Sequence, residues 1–173
     1  FEFLFLFSKY YDELFSCKLL WGDAREQIIN IPKNVDFDLI YLDSFSPSKC
    51  PELWSIEFLN TIVSKLKPSG KLITYSSSAS VRKSLIKSGL KIYNIKPINK
   101  KNNLWSYGTF AIKDVIHNVE NPFIEELTLM QREHLTTKAS IPYRDPDRNS
   151  KSEEIINRRK NEQQISTLTS TRK

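Results

Sequence analysis

Glycine is scarce in this 173-residue chain: it stands at positions 22, 70, 89 and 108, never as Gly-x-Gly. Within these residues that excludes the glycine-rich strand-to-helix turn by which backbone approaches a dinucleotide or phosphate. Two cysteines, Cys17 and Cys50, cannot make a disulfide framework, and a reducing cytoplasm is the compartment to expect. His117 and His134 are the two histidines, and no Cys/His cluster has metal-ligand spacing, so no metal is expected and both read as surface or packing residues. The greasy stretch 1–7 is far too short to span a bilayer and lacks the cationic flank of a secretory signal, which argues against a membrane. The chain opens on Phe1 and its single methionine is Met130, so the expectation is a segment of a longer gene product. Acid is missing locally: from Phe58 to Lys113 there is no Asp or Glu.

What is present is a globular composition, 39% hydrophobic and 12% aromatic, long enough for one domain with a core. The net charge of +6 and pI near 9.2 favour a polyanionic partner. The acid-free span holds Lys65, Lys67, Lys71, Arg82, Lys83, Lys87, Lys91, Lys96, Lys100, Lys101 and Lys113. With Trp105 and Tyr107 beside Lys100 and Lys101, the loop 96–108 reads as a surface for RNA phosphates and an unstacked base.

Along the chain, residues 8–16 are weakly helical and 18–21 read as a short buried strand. A short helix follows over 24–31, then an apolar strand at 39–42 of the kind buried on both faces of a parallel sheet. Pro51 opens a helix whose apolar positions are Phe58, Leu59, Ile62, Val63 and Leu66, stopped at 67–70. A third strand runs over 71–77 with Leu72, Ile73 and Tyr75 as packing residues, and Ser80 caps a helix that ends at Gly89. Residues 90–98 and 107–113 read as an antiparallel pair at the sheet edge. Asn121-Pro122 with Glu125-Glu126 predicts a helix start, 141–146 an ordered turn or extended clamp, and Ser150 with Glu153 a capping box before a polar helix to about 165. The alternation predicts a doubly wound α/β fold. The expected partition is 1–17 as the remnant or linker of a preceding part, 18–113 as the main domain, 114–165 as a C-terminal extension and 166–173 as a disordered tail.

Chemistry concentrates where the apolar strand ends in a carboxylate, Asp43, followed by a Ser/Pro loop carrying Phe45, Lys49 and Cys50. Ligands of parallel sheets bind at the carboxyl ends of strands. The order Gly22-Asp23-Ala24-Arg25, then Asp38-Leu39-Ile40-Tyr41-Leu42-Asp43-Ser44-Phe45-Ser46-Pro47-Ser48-Lys49-Cys50-Pro51-Glu52-Leu53-Trp54, then 67–77 (KPSGKLITYSS) and Val81-Arg82 resembles one family. It is the MnmC-like tRNA methylaminomethyl-thiouridine methyltransferases, a Rossmann-like class dependent on S-adenosylmethionine, and the likeness covers roughly residues 18–113. The resemblance implies methyl transfer to the aminomethyl nitrogen of a modified wobble uridine in tRNA, with S-adenosylmethionine as cofactor. It implies Asp43 beside the transferable methyl, orienting the amine and accepting its proton, and Asp23, with the small Ala24 beside it, at the adenine amino group. Asp23 also suits a helix N-cap, and the two roles are compatible. Phe45 and Trp54 are candidates to stack on the uracil or close the pocket, Trp54 equally a core residue; Lys49 is a candidate phosphate contact.

Cys50 raises a rival, covalent attack on a pyrimidine by an RNA carbon-methyltransferase, but that motif places proline before the cysteine, and here Pro51 follows it. The family's glycine loop and ribose carboxylate belong upstream of Gly22, so a Rossmann-like sheet lacking its first strands, with an exposed edge and weak cofactor binding by residues 1–173 alone, is expected. A preceding half and a flavin oxidase module, which these residues do not encode, are the candidate protein partners. The alternative function is a non-catalytic RNA-binding remnant or half of a split enzyme.

Overall fold

The computed structural model describes residues 8–96, 108–113 and 122–170. A five-stranded mixed sheet forms the centre, in the order β3-β4-β6-β5-β7. Its members are β3 (Phe37–Leu42), β4 (Leu66–Thr74), β5 (Lys91–Ile95), β6 (Thr109–Ile112) and β7 (Ile124–Glu125). Only β3 and β4 run parallel; β6 is antiparallel to both β4 and β5, and β7 to β5. The α/β class holds, while the sheet is mixed and the expected pair at 90–113 is not its edge: β6 is inserted between β4 and β5, and β7 forms the border.

The other border is β3. Its pattern is half apolar-out, with Tyr41 72% exposed and Leu39 also exposed, so it is not the doubly buried strand its composition predicts. Pairing with β4 skips from Phe37–Leu66 to Leu39–Lys71, because residues 67–70 loop out of the ladder. The expected helix stop at 67–70 is therefore a bulge inside a strand that starts earlier, at Leu66. Gly70 is required there: a Cβ would stand 2.9 Å from the Lys67 carbonyl oxygen. Lys67 then ties the loop to Asp38 at 2.8 Å.

On the sheet lie α2 (Ile56–Ser64) and α3 (Ala79–Lys87), whose Phe58, Leu59, Ile62, Val63, Val81 and Leu85 form the core with Leu42, Leu66, Leu72 and Ile92. Proline opens a separate 3-10 turn, Pro51–Trp54, and Ser55 caps α2 by accepting from the Phe58 amide. Ser78, not Ser80, is the N-cap of α3, and Gly89 ends it at φ 89° as expected.

Three further expectations are corrected. Residues 8–16 are not helical: β1 (Lys9–Tyr11) and β2 (Ser16–Lys18) make a separate hairpin. Asp12 drives its turn by accepting from the Leu14 and Phe15 amides, and Tyr10 stacks on Phe15 at 5.2 Å. The strand expected at 18–21 folds back on the same hairpin, the Trp21 indole donating to the Ser8 hydroxyl at 2.8 Å, instead of entering the central sheet. Finally, 121–126 does not start a helix: Ile124 pairs with Ile95, and α4 (Leu129–His134) begins after Thr128, which shares a capping box with Gln131. The polar helix is α5 (Ser152–Ile165), with Glu154 accepting from the Lys151 amide, one position beyond the expected box. Residues 171–173 of the expected tail lie outside the described residues; the Thr169 carbonyl accepts from the Lys138 amide at 3.0 Å.

Candidate active site

Strand β3 delivers Asp43, which is exposed, to the carboxyl end of the sheet. The β3–β4 register pairs Leu42 with Thr74, so the next residues, Asp43 and Tyr75, emerge side by side. Tyr75 donates its hydroxyl to the Ser44 carbonyl at 2.9 Å. Its pKa is raised, first by burial and then by the Asp43 charge. Sequence reasoning assigned Tyr75 to packing; its place at the end of the strand neighbouring β3 was the signal that it belongs to the site.

The loop after Asp43 is held from beneath. The Trp54 indole N–H donates to the Phe45 carbonyl at 2.6 Å, and its ring meets Tyr75 edge-on at 6.0 Å. Trp54 is 0% exposed, so it is a core residue and no platform for a base. Phe45, on the same loop, is 79% exposed and points its ring outward. Lys49 is exposed, and its amide and that of Cys50 donate to the Ser46 carbonyl. The Cys50 thiol is pushed up to about 11, by burial first and then by its bond to Glu52, which keeps it protonated at neutral pH. A covalent thiolate route is thereby disfavoured. Lys100, Lys101, Trp105 and Tyr107 lie outside the described residues.

Asp23 caps α1 (Ala24–Gln27), accepting from the Arg25 amide at 2.8 Å. Both of its oxygens also take the Arg25 guanidinium, which holds its pKa below the usual carboxylate range. Arg25 reaches on to the Asp145 carboxylate at 2.8 Å and the Ser150 carbonyl at 3.0 Å. These two carboxylates and their own hydrogen bonds raise the guanidinium pKa well above its ordinary value. Around Asp145, residues 141–146, expected as an ordered turn or an extended clamp, take the clamp form: Ile56 donates to the Tyr143 carbonyl, while Arg144 and the Asp145 amide grip Glu57 at 2.7 and 2.8 Å. A bond from Ser152 to Glu52 at 3.0 Å completes the seam. The C-terminal segment thus fixes the loop between Asp43 and α2. Arg25 and Asp145 were not legible as partners, being 120 positions apart.

Part of the basic span is structural. Lys65 donates to the Ile31 and Pro32 carbonyls, Lys67 pairs with Asp38, Lys113 bonds the Leu66 carbonyl, and Lys91 lies over the Tyr93 ring. Arg82 is 2% exposed and bonds Thr109, Asn94 and the Gly108 carbonyl.

Residues 6–107 match the family of S-adenosyl-L-methionine-dependent methyltransferases. The chain belongs to that family. The crystal structure of MnmC2 from Aquifex aeolicus superposes on this methyltransferase chain with a TM-score of 0.75 at 32% identity, covering 91% of this chain and 48% of that one. An uncharacterized protein of Methanocaldococcus jannaschii is 28% identical over 148 residues, 86% of this chain and 39% of its own length. The tRNA 5-methylaminomethyl-2-thiouridine biosynthesis bifunctional protein MnmC of Pseudomonas entomophila is 32% identical over 48% of this chain and 12% of its own length. The methyltransferase chain thus spans less than half of each of these relatives.

The family implies S-adenosylmethionine, and among the described residues two carboxylates have the charge such a cation calls for. Asp43 is a solvent-facing carboxylate of the charge that suits a cationic group, and Asp23, beside the small Ala24, is a carboxylate whose oxygens already accept from Arg25. The glycines have other duties: Gly22, at φ 118°, turns the chain into the Asp23 cap, and a Cβ on Gly108 would stand 2.7 Å from the Thr74 carbonyl oxygen in the neighbouring strand. Among the described residues no helix is long and apolar enough to cross a membrane.

Proposed function

We propose that this chain forms the amine-facing part of a methyltransferase acting on the aminomethyl nitrogen of a modified wobble uridine in tRNA. The observation that carries the reading is the solvent-facing Asp43 carboxylate at the end of β3, flanked by an outward Phe45 ring and by Tyr75. The names of the MnmC relatives supply the substrate class. When bound, S-adenosylmethionine supplies an electrophilic methyl. Asp43 orients the substrate ammonium, takes its proton to bare the nitrogen lone pair, and stabilises the positive charge as the new bond forms. Phe45 stacks on the extruded uracil, and Lys49 takes a neighbouring phosphate. Asp23 and Ala24 hold the adenine end, the Asp23 carboxylate already aimed by Arg25. Lys100 and Lys101 extend the RNA surface. A preceding half of the methyltransferase and a flavin oxidase module are the protein partners proposed.

Tritiated methyl incorporation into tRNA carrying the aminomethyl group, against tRNA lacking it, tests this. Asp43→Asn should lower incorporation by about 10²–10⁴-fold. Equal incorporation by both proteins would remove Asp43 from the mechanism, and equal labelling of both tRNAs would remove the substrate assignment.

A further inference from the structure

A cavity of about 500 Å³ opens between the start of α3, α4 and α5, away from the Asp43 carboxylate. Ser77, Ser78, Arg82, His134, Tyr143 and Arg159 line it, and no carboxylate does. Arg159 stacks over the Tyr143 ring at 4.6 Å and donates to the Ile141 and Ala139 carbonyls at 2.7 and 2.9 Å. Two of its five N–H donors are thereby used, and no carboxylate pairs with it among the described residues. Arg82 adds a second guanidinium; burial lowers its pKa to about 10, so it stays cationic at neutral pH. The His134 Nε2 atom is buried with no hydrogen-bond partner. The Ser78 hydroxyl bonds the Ser80 hydroxyl at 2.9 Å and caps no amide of the nine-residue α3, which leaves the positive end of that helix facing the same space.

We infer that this cavity receives a phosphodiester group of the RNA substrate. Every fixed charge on its wall is positive, the helix end adds an anion-binding contribution, and the volume suits a nucleotide-sized group better than a bare ion. Its position joins it to the reaction site. Ser77 and Ser78 follow Tyr75, whose hydroxyl holds Ser44 beside Asp43. Tyr143, on the opposite wall, pairs with Ser55 directly after Trp54. Both sites therefore lie on the loops at the carboxyl ends of β3 and β4, and an RNA strand presenting its base to Asp43 is proposed to lay its backbone along this wall. The inference rests on the tRNA reading above and adds a contact that reading does not need.

The test uses the full 173-residue chain and uridine monophosphate as probe, followed by NMR of the His134 ring nitrogens, with inorganic phosphate in a parallel arm. The nucleotide should shift the His134 signals, and Ser77→Asp, which adds a negative charge at the rim, should abolish the shift while leaving the melting temperature unchanged. Arg159→Gln should weaken tRNA binding about 5–10-fold and lower the slope of log affinity against log salt by about 1. Unmoved His134 signals, or unaltered tRNA affinity and salt slope in both variants, would overturn the inference. So would equal saturation by inorganic phosphate with tRNA binding untouched, which would make this a free-phosphate site. Nucleotide binding here together with absent methyl transfer by the chain supplied with its preceding half would instead remove the proposed function and leave the pocket standing.

Discussion

Substituting Asp145 probes the seam that shapes the site loop. Its carboxylate is 0% exposed and divides its work: one oxygen accepts from Arg25 at 2.8 Å, the other from the Ser150 amide at 3.1 Å. Asp145→Ala removes both acceptors. Arg25 keeps Asp23, so the loss falls toward the lower end of the roughly 3–5 kcal/mol seen when a buried pair loses one partner. The orphaned Ser150 amide adds a cost of about 1 kcal/mol or more. A total near 3–4 kcal/mol corresponds to a fall of roughly 10 °C in melting temperature for a chain of this size. Asp145→Asn is the sharper variant. It preserves shape but has one oxygen for two donors, so one of them must face an amide NH₂, at a cost of about 2 kcal/mol. Urea unfolding followed by circular dichroism should show a lower midpoint with an unchanged slope, in the order Ala below Asn below parent. An Asn variant as stable as the parent would refute the two-acceptor argument, and an Ala variant within about 1 kcal/mol would refute the seam itself.

Trp54→Phe deletes the 2.6 Å bond to the Phe45 carbonyl and leaves a small void, for a loss of about 2–3 kcal/mol and faster hydrogen exchange at the Lys49 and Cys50 amides by mass spectrometry. Cys50 should resist iodoacetamide at neutral pH while the exposed Cys17 reacts, its rate climbing about tenfold per pH unit until near 11; fast labelling at pH 7 would contradict its burial. The Asp23 pKa is depressed below its ordinary 3.8 by the Arg25 bond, so its stabilisation is complete above about pH 5 and is lost as pH falls through the folded value. Asp23→Asn should therefore destabilise at pH 7 and flatten the acid limb of the melting-temperature profile, whereas a profile parallel to the parent's would show that the pair contributes nothing.

The parts of the fold legible in advance were those specified by neighbours in sequence. The apolar run at 39–42, the 3.6-residue spacing of Phe58, Leu59, Ile62 and Val63, and the left-handed Gly89 each fix local structure without reference to distant residues. What escaped was set by distant pairing. Nothing between 90 and 113 announces that β6 would lie between β4 and β5, because either order satisfies the same alternation. The hairpin at 9–18 hides behind weak helical periodicity; its one local cue is Asp12, whose carboxylate closes the turn. Within the site, the exposed positions of Asp43 and Phe45 accord with a strand-end loop, but a tryptophan in a first helical turn serves core and surface equally well by composition. Its buried position depends on the loop carbonyl above it.

The grip of Arg144 and Asp145 on Glu57 closes a circuit 87 and 88 residues long. During synthesis residues 144 and 145 must therefore leave the ribosome before the segment behind Asp43 can settle. Until then the loop that follows Asp43 lacks the clamp that gives it its shape.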